Sequence, residues 1–277
     1  MNKGILYICP TPIGNLEDIT LRVLRILKEA DLIACEDTRV TQKLLNHYNI
    51  STKLTSYHKF SEKQKSEYLI NLLLEGKSIG LVSDAGTPVI SDPGFELIKQ
   101  AHKHNIKVEP LPGASAIMTA FSASGLDNPY FTFVGFLPRS KKEKETLLNK
   151  YKEINIIFFE APTRFVKTLE ELREILGNVS LVVARELTKI HEEIRRDTIE
   201  NQINFYTSKP PKGEITAIIE GVTEKVSIDE SLIIEKIKIL KAAGYPTKEI
   251  SRILSLLTSC PKGKIYDLTV ELIDKLK

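Results

Sequence analysis

The sequence predicts an α/β protein: a mostly parallel sheet in the first part, a mixed-sheet α+β second part, and a small helical subdomain resembling a helix-turn-helix at the end. Three observations carry this. Short apolar runs alternate with amphipathic helical patterns over the first 125 residues, which implies crossovers between parallel strands. Longer strand-like runs follow LDNPY (126–130) without regular crossovers. From about Ile228 onward the pattern is helical alone.

The elements follow in order. Ile5–Cys9 reads as a strand, and Thr20–Ala30 as a helix with Leu21, Val23, Leu24, Ile26, Leu27 and Ala30 at helical spacing. Next come a strand at 32–35, a helix from Thr41 to Tyr48, a strand at 53–57 and a helix over about 61–75. A strand at 78–82, a helix over about 94–104, a strand at 108–111 and a helix over about 114–124 complete the first domain, 1–125. The second domain, 126–224, holds strands at 131–137, 154–160, 180–186, 193–199 and 214–220, with helices over about 140–152, 163–176 and 200–207. Residues 225–277 hold three short amphipathic helices, the first two joined by AAGYP, which suits either a helix-turn-helix or a helical subdomain that only packs.

Composition narrows the functional classes. With 277 residues and 42% apolar content the chain can build sizeable cores. No run is long and apolar enough to span a membrane, and the opening stretch breaks at Pro10 and Pro12 without a small-residue cleavage site, so no signal peptide is expected. Cys9, Cys35 and Cys260 are odd in number and lack CxxC spacing, which suggests neither a disulfide framework nor a zinc site and points to a cytoplasmic home. The net charge of +3 resides in 225–277, where ten basic residues face seven acidic ones. A second basic stretch, 138–152, has six basic and two acidic residues. Both runs suit a phosphate backbone as partner, and both suit a solvated helix face.

In parallel sheets ligands sit beyond the carboxyl ends of the strands. That rule gathers PTPIGNLED (10–18), EDTR (36–39), HKFSE (58–62), SDAGTP (83–88) and PGAS (112–115) on one edge. The stretch LVSDAGTPVISDPG (81–94) is the most telling, because its glycines and prolines expose main-chain groups to a ligand; an ordinary strand-to-helix turn has similar composition. Signatures for nucleotide hydrolysis (GxxxxGK[ST]), dinucleotide binding (GxGxxG after a first strand), zinc proteolysis (HExxH) and a GxSxG nucleophile are all absent.

Taken together, TPIGNLEDIT (11–20), CEDTR (35–39), LVSDAGTPVISDPG (81–94), PLPGASA (110–116), FVGFLPR (133–139), FFEAPTR (158–164), ARELTKIHEE (184–193) and KGEITAIIEG (212–221) resemble the ribosomal RNA small subunit methyltransferase I family, in order and over nearly the whole chain. That family belongs to the tetrapyrrole-methylase-like, class III S-adenosylmethionine-dependent methyltransferases. The resemblance implies a two-domain tetrapyrrole-methylase-like fold, a homodimer, and methylation of a cytidine ribose 2′-hydroxyl in 16S rRNA of the small ribosomal subunit. It also implies that Ala85, Gly86, Thr87 and Ile90 hold S-adenosylmethionine; Asp84, in the same cofactor loop, suits either orienting the sulfonium side or closing an Asx turn before Gly86. Pro12, Ser115 and Ala116 would line the same cleft, with Phe159, Gly213 and Ala217 facing them from the second domain. The third loop departs from the family's HxHNE pattern, reading His58-Lys59-Phe60-Ser61-Glu62.

Methyl transfer to a ribose hydroxyl calls for a proton acceptor and an aligned nucleophile, and no metal. Glu36 and Asp37 are the first candidates for orientation or base, and Asp37 is equally suited to cap the next helix. Arg39 is a candidate to pair with Glu36 or to hold a substrate phosphate, and His58 a further candidate base. Glu160 and Arg164 suit a salt bridge across Pro162, while Glu186, Lys189, His191 and Glu192 face either RNA or the cleft. Two other readings fit the same residues: a related methyltransferase acting on a tetrapyrrole or a protein, and a non-catalytic RNA-binding assembly factor.

Overall fold

The computed structural model of the chain describes residues 3–59, 62–221, 230–258, 260 and 262–274. It divides into two compact units, Met1–Gly221 and Val222–Lys277.

The first unit opens with β1 (Ile5–Ile8), α1 (Leu21–Glu29), β2 (Leu32–Cys35), α2 (Thr38–His47) and β3 (Leu54–Ser56). It continues with α3 (Glu62–Leu74), β4 (Ile79–Val82), α4 (Phe95–Lys103), β5 (Lys107–Pro110) and α5 (Ala116–Ser122). The five strands form one sheet in the order β3-β2-β4-β1-β5, with every pair parallel. Both faces are covered, which is what a parallel sheet needs and why its strands read as continuous apolar runs. Leu6, Ile79 and Leu81 pack with Leu69 and Leu73 of α3 and Leu97 of α4. On the other face Ile33, Cys35 and Val82 pack with Val23 and Leu27 of α1 and Leu45 of α2. One boundary differs from expectation: α2 starts at Thr38 rather than Thr41, because the Asp37 carboxylate accepts from Arg39 N at 2.8 Å and caps the helix three residues earlier.

The second half of this unit comprises β6 (Phe131–Phe136), α6 (Lys141–Tyr151), β7 (Asn155–Glu160), α7 (Pro162–Leu176), β8 (Ser180–Arg185), β9 (Glu193–Thr198), α8 (Ile199–Ser208) and β10 (Ile215–Ile219). Its sheet has the order β6-β7-β10-β8-β9, in which only β6 and β7 run parallel. Side chains alternate between its faces. Phe158, Leu181, Val183, Ile215 and Ala217 pack under α7 and α8. Ile157, Val182, Ala184 and Ile218 turn the other way and meet Ile13, Ile117 and Ala120 of the first half in one cluster. That shared core joins the two sheets and forms the floor on which a ligand cavity rests.

Two lysines of the basic stretch 138–152 are committed to structure. Lys141 bonds Glu174, and the buried Lys144 bonds Glu171, fastening α6 to α7. Arg139, Lys142 and Lys152 of that run are exposed.

The second unit contains α9 (Glu230–Ala242), α10 (Thr247–Thr258) and α11 (Lys262–Asp274) around Ile233, Ile237, Ile250, Leu254 and Ile265. The turn after α9 is a Schellman cap: Gly244 has φ +87°, Tyr245 N donates to Leu240 O at 3.1 Å, and Gly244 N donates to Lys241 O at 3.0 Å. Pro246 follows and stops the helix from continuing.

Truncation of Phe165, fully buried and edge-on to Tyr206 at a 5.3 Å ring separation, tests the core under the second sheet. Phe165→Ala should lower stability by about 3–5 kcal/mol in urea unfolding.

Candidate active site

The site begins with a short length of backbone pairing. Beyond the carboxyl ends of β1 and β4, Thr11 and Gly86 exchange two hydrogen bonds, each 2.9 Å long, as an isolated antiparallel bridge. Thr11 Oγ1 donates to Ser83 O at 3.0 Å, and Thr87 Oγ1 donates to Ala114 O at 3.0 Å, so the loops after β1, β4 and β5 are tied into one surface. Gly86 sits at φ +77°, and a Cβ there would stand 3.3 Å from Ile13 Cγ2. Glycine takes this conformation without a Cβ penalty, and position 86 puts no side chain into the space beside it.

The far end of the same loop is fixed by Glu62. Its Oε1 accepts from Gly94 N at 3.0 Å, from Glu96 N at 3.2 Å and from the Tyr57 hydroxyl at 3.3 Å. Between the two anchors Val89 is held at φ +77°, a costly conformation for a β-branched residue, so the surroundings impose it.

Against this surface lies a cavity of about 400 Å³, within the size range of small-molecule sites. From the first half it is lined by Ala85, Gly86, Thr87, Ile90, Ser115 and Ala116, and from the second sheet by Phe159 and Gly213. Three expected residues lie elsewhere. Pro12 and Asp84 line a separate trough together with Thr11, the partner of Gly86 in the bridge. Ala217 is fully buried under α7, because the two-residue period of a strand turns it away from Phe159. Its neighbour Thr216, paired across to Phe159, lines the cavity instead. Phe136, Pro162 and Leu187 also line it and escaped the sequence reading; the alternation around Phe159 was the signal for Thr216.

Gly213 closes the far wall at φ +79°. A Cβ on it would fall 2.0 Å from Glu186 Oε1, the atom that accepts from Glu214 N at 3.0 Å and Lys189 Nζ at 2.9 Å. Lys189 and the Glu214 amide hold Glu186 below the usual carboxylate range. Glu192 accepts from Thr188 N at 2.6 Å, and Thr188 Oγ1 accepts from Asn15 N at 3.0 Å. Glu186, Lys189 and Glu192 therefore shape the loop, while His191 is exposed. Glu160 Oε2 accepts from Thr168 at 2.8 Å and pairs with Arg164 at 3.2 Å, the salt bridge across Pro162.

The candidate catalytic residues separate by their commitments. Asp37 caps α2 and also takes Arg39 Nε at 3.0 Å and Nη2 at 2.6 Å, which lowers its pKa to about 2. Glu36 behaves oppositely: burial, then the neighbouring Asp92 and Asp84 carboxylates, raise its pKa, with His58 opposing them. Asp92 lines the cavity and is itself raised by burial and by Asp84. A carboxyl group with elevated proton affinity thus stands electrostatically coupled to the cavity wall. Phe60 and Ser61 of the third loop lie outside the described residues.

Comparison with known proteins shows the family. The tetrapyrrole (corrin/porphyrin) methylase family model matches residues 5–202. The "Ribosomal RNA small subunit methyltransferase I" of Halalkalibacterium halodurans is 46% identical over 274 residues, covering 96% of this chain and 95% of that protein. The chain belongs to that family. It is accordingly an S-adenosylmethionine-dependent methyltransferase of tetrapyrrole-methylase fold. A relative of the same name from Synechocystis is 43% identical, covering 97% of this chain and 98% of that protein. Among solved structures, uroporphyrin-III C-methyltransferase from Thermus thermophilus complexed with S-adenosyl homocysteine shares the fold at a TM-score of 0.56 and 17% identity, covering 79% of this chain and 99% of that one.

Gly86 tests the cavity directly. Gly86→Val places a branched side chain at positive φ beside Ile13, and should weaken S-adenosylhomocysteine binding by about tenfold or more in calorimetry, a loss of about 1.4 kcal/mol.

Proposed function

We propose that the chain transfers the methyl group of S-adenosylmethionine to the ribose 2′-hydroxyl of a cytidine in 16S rRNA of the small ribosomal subunit, acting in the cytoplasm as a homodimer. The observation that carries the chemistry is the cavity beyond the carboxyl ends of β1 and β4, lined by Ala85, Gly86, Thr87, Ser115 and Asp92; Glu36, at the end of β2, lies outside that lining, and burial together with Asp92 and Asp84 raises its pKa. Family membership supports the RNA substrate.

The residues fit the donor. The cavity is large enough, its Ala85–Thr87 main chain is free of bulky side chains, and Asp92 offers negative charge toward a positive sulfonium. S-adenosylmethionine, when bound, supplies a methyl group on a charged sulfur, so the leaving group needs no activation. What the chain must add is alignment and a place for the hydroxyl proton. Glu36 accepts that proton at its carboxylate. Asp37, saturated by Arg39 and the α2 amide, keeps the strand end rigid and directs Arg39 outward. The exposed Arg39 retains Nη1 for a substrate phosphate. His58, close enough to influence Glu36, favours the ionised base when protonated.

Labelled donor incubated with unmethylated small subunits, followed by nuclease digestion and mass spectrometry, should yield one 2′-O-methylcytidine. Transfer only to a tetrapyrrole or to protein, or no transfer at all, overturns the reading. The base assignment predicts a pH profile. Activity should rise with pH through a pKa above the ordinary carboxylate range, and Glu36→Gln should abolish that limb with a loss of about 10²–10⁴ in rate. Asp92→Asn removes a negative neighbour, so the Glu36 pKa should fall and the limb move to lower pH.

A further inference from the structure

The two partners of the bridge line different hollows: Gly86 lines the candidate methyl-donor cavity, and Thr11 lines a trough of about 210 Å³. Its walls are Pro12 and Leu16 from the loop after β1, and Val40 and Leu44 from α2. Val40, Lys43 and Leu44 stand at i, i+3 and i+4, so they share one helix face. The loop wall is steadied by the Tyr48 hydroxyl, which donates to Leu16 O at 2.6 Å.

The polar groups of the trough are few. Thr11 and Ser83 spend their hydroxyl protons internally, donating to Ser83 O at 3.0 Å and to Gly86 O at 3.2 Å. Asp84 is exposed, and its Oδ1 accepts from Asp37 N at 3.1 Å, which orients the carboxylate at the head of α2. Lys43 is exposed on the opposite wall. The trough therefore offers apolar walls, a fixed acceptor and a movable donor. Its lining adjoins that of the donor cavity along the chain: Thr11, Ser83 and Asp84 line the trough, while Ile13, Ala85 and Gly86 line the cavity.

We propose that this trough receives the base of the target nucleotide, with Asp84 accepting a hydrogen bond from the exocyclic amine of cytosine and Lys43 donating to its ring carbonyl. The inference rests on the RNA-methylating reading and adds how one base is chosen. A base lifted out of its stack needs apolar walls against its faces and hydrogen-bonding groups at its edge, and a carboxylate is a matched acceptor for the cytosine amine. Seated there, the nucleotide holds its ribose at the rim of the bridge, where Asp84 is close enough to Glu36 to raise its pKa. Asp84 and Pro12 thereby serve substrate choice rather than donor binding.

The test uses the whole protein and small subunits reconstituted with either cytidine or uridine at the methylated position. Binding is measured in the presence of S-adenosylhomocysteine, and methyl transfer in the presence of the donor. Wild-type protein should prefer the cytidine subunit by about tenfold or more, as expected for one matched base-edge contact. Asp84→Asn keeps an acceptor for Asp37 N but can present an amide donor to the base, and should reduce or reverse that preference. Val40→Trp, at an exposed helix position, should fill the trough and raise KM for subunits about tenfold while S-adenosylhomocysteine affinity stays at the wild-type value. An unchanged cytidine-to-uridine ratio in Asp84→Asn, or an unchanged KM in Val40→Trp, overturns the proposal. If wild-type protein places no methyl on either ribose, the functional reading fails separately, and the binding preference still decides whether the trough reads the base.

Discussion

Two backbone hydrogen bonds between Thr11 and Gly86 set the first-half wall of the candidate cavity. They join loops from neighbouring parallel strands, and pairing of that kind is possible only because β1 and β4 lie side by side at the centre of the first sheet. The pairing turns two mobile connections into a wall, with Gly86 at a conformation that keeps one face of the wall free of side chain. Loops that carry function usually depend on a rigid scaffold beneath them. Here the scaffold extends into the loops themselves, through Thr11 at one end and the Glu62 carboxylate at Gly94 and Glu96 at the other.

The electrostatics follow from the same wall. Asp84 and Asp92 belong to the loop that the bridge holds, and they bring negative charge to Glu36 at the end of β2. Asp37, one residue further on, experiences the opposite field because Arg39 folds back onto it. Two adjacent carboxylates thus acquire contrasting proton affinities, one suited to accept a proton and one suited to remain an anion that caps a helix. The second sheet contributes less charge and more shape, since Gly213 lets Glu186 approach where any side chain would collide with it.

Much of this was legible in the residues. The alternation of short apolar runs and amphipathic helices identified the strands and helices of both sheets, because both faces of the first sheet are covered and the second alternates cleanly between its core and the cleft. The glycine- and proline-rich loops pointed to the strand-end edge, and Ile13, Ala85–Thr87, Ile90–Asp92 and Ser115 of the cavity wall came with them, while the larger share came from the second half. What escaped depends on partners distant in sequence. Pro12 and Asp84 sit next in sequence to residues near the cavity, yet they line the separate trough, which only the folded loops reveal. The strand register decides between Thr216 and Ala217, and a one-residue difference moves a side chain to the other face. Lys144 looked like part of a basic surface, whereas Glu171, 27 residues away, holds it in the interior. The cap that starts α2 at Thr38 was visible as an alternative for Asp37, but its strength came from Arg39 reaching back over the same carboxylate.

The central claim is that the two partners of one backbone bridge line a donor cavity and a separate substrate trough. A crystal structure of the protein with S-adenosylhomocysteine tests it most directly. The account predicts the ligand against the Ala85–Thr87 main chain and the Gly213–Thr216 strand end, with the Thr11–Gly86 pairing intact and the trough between Leu16 and Val40 clear of it. A ligand seated in that trough, or a bridge opened to admit it, would contradict the account.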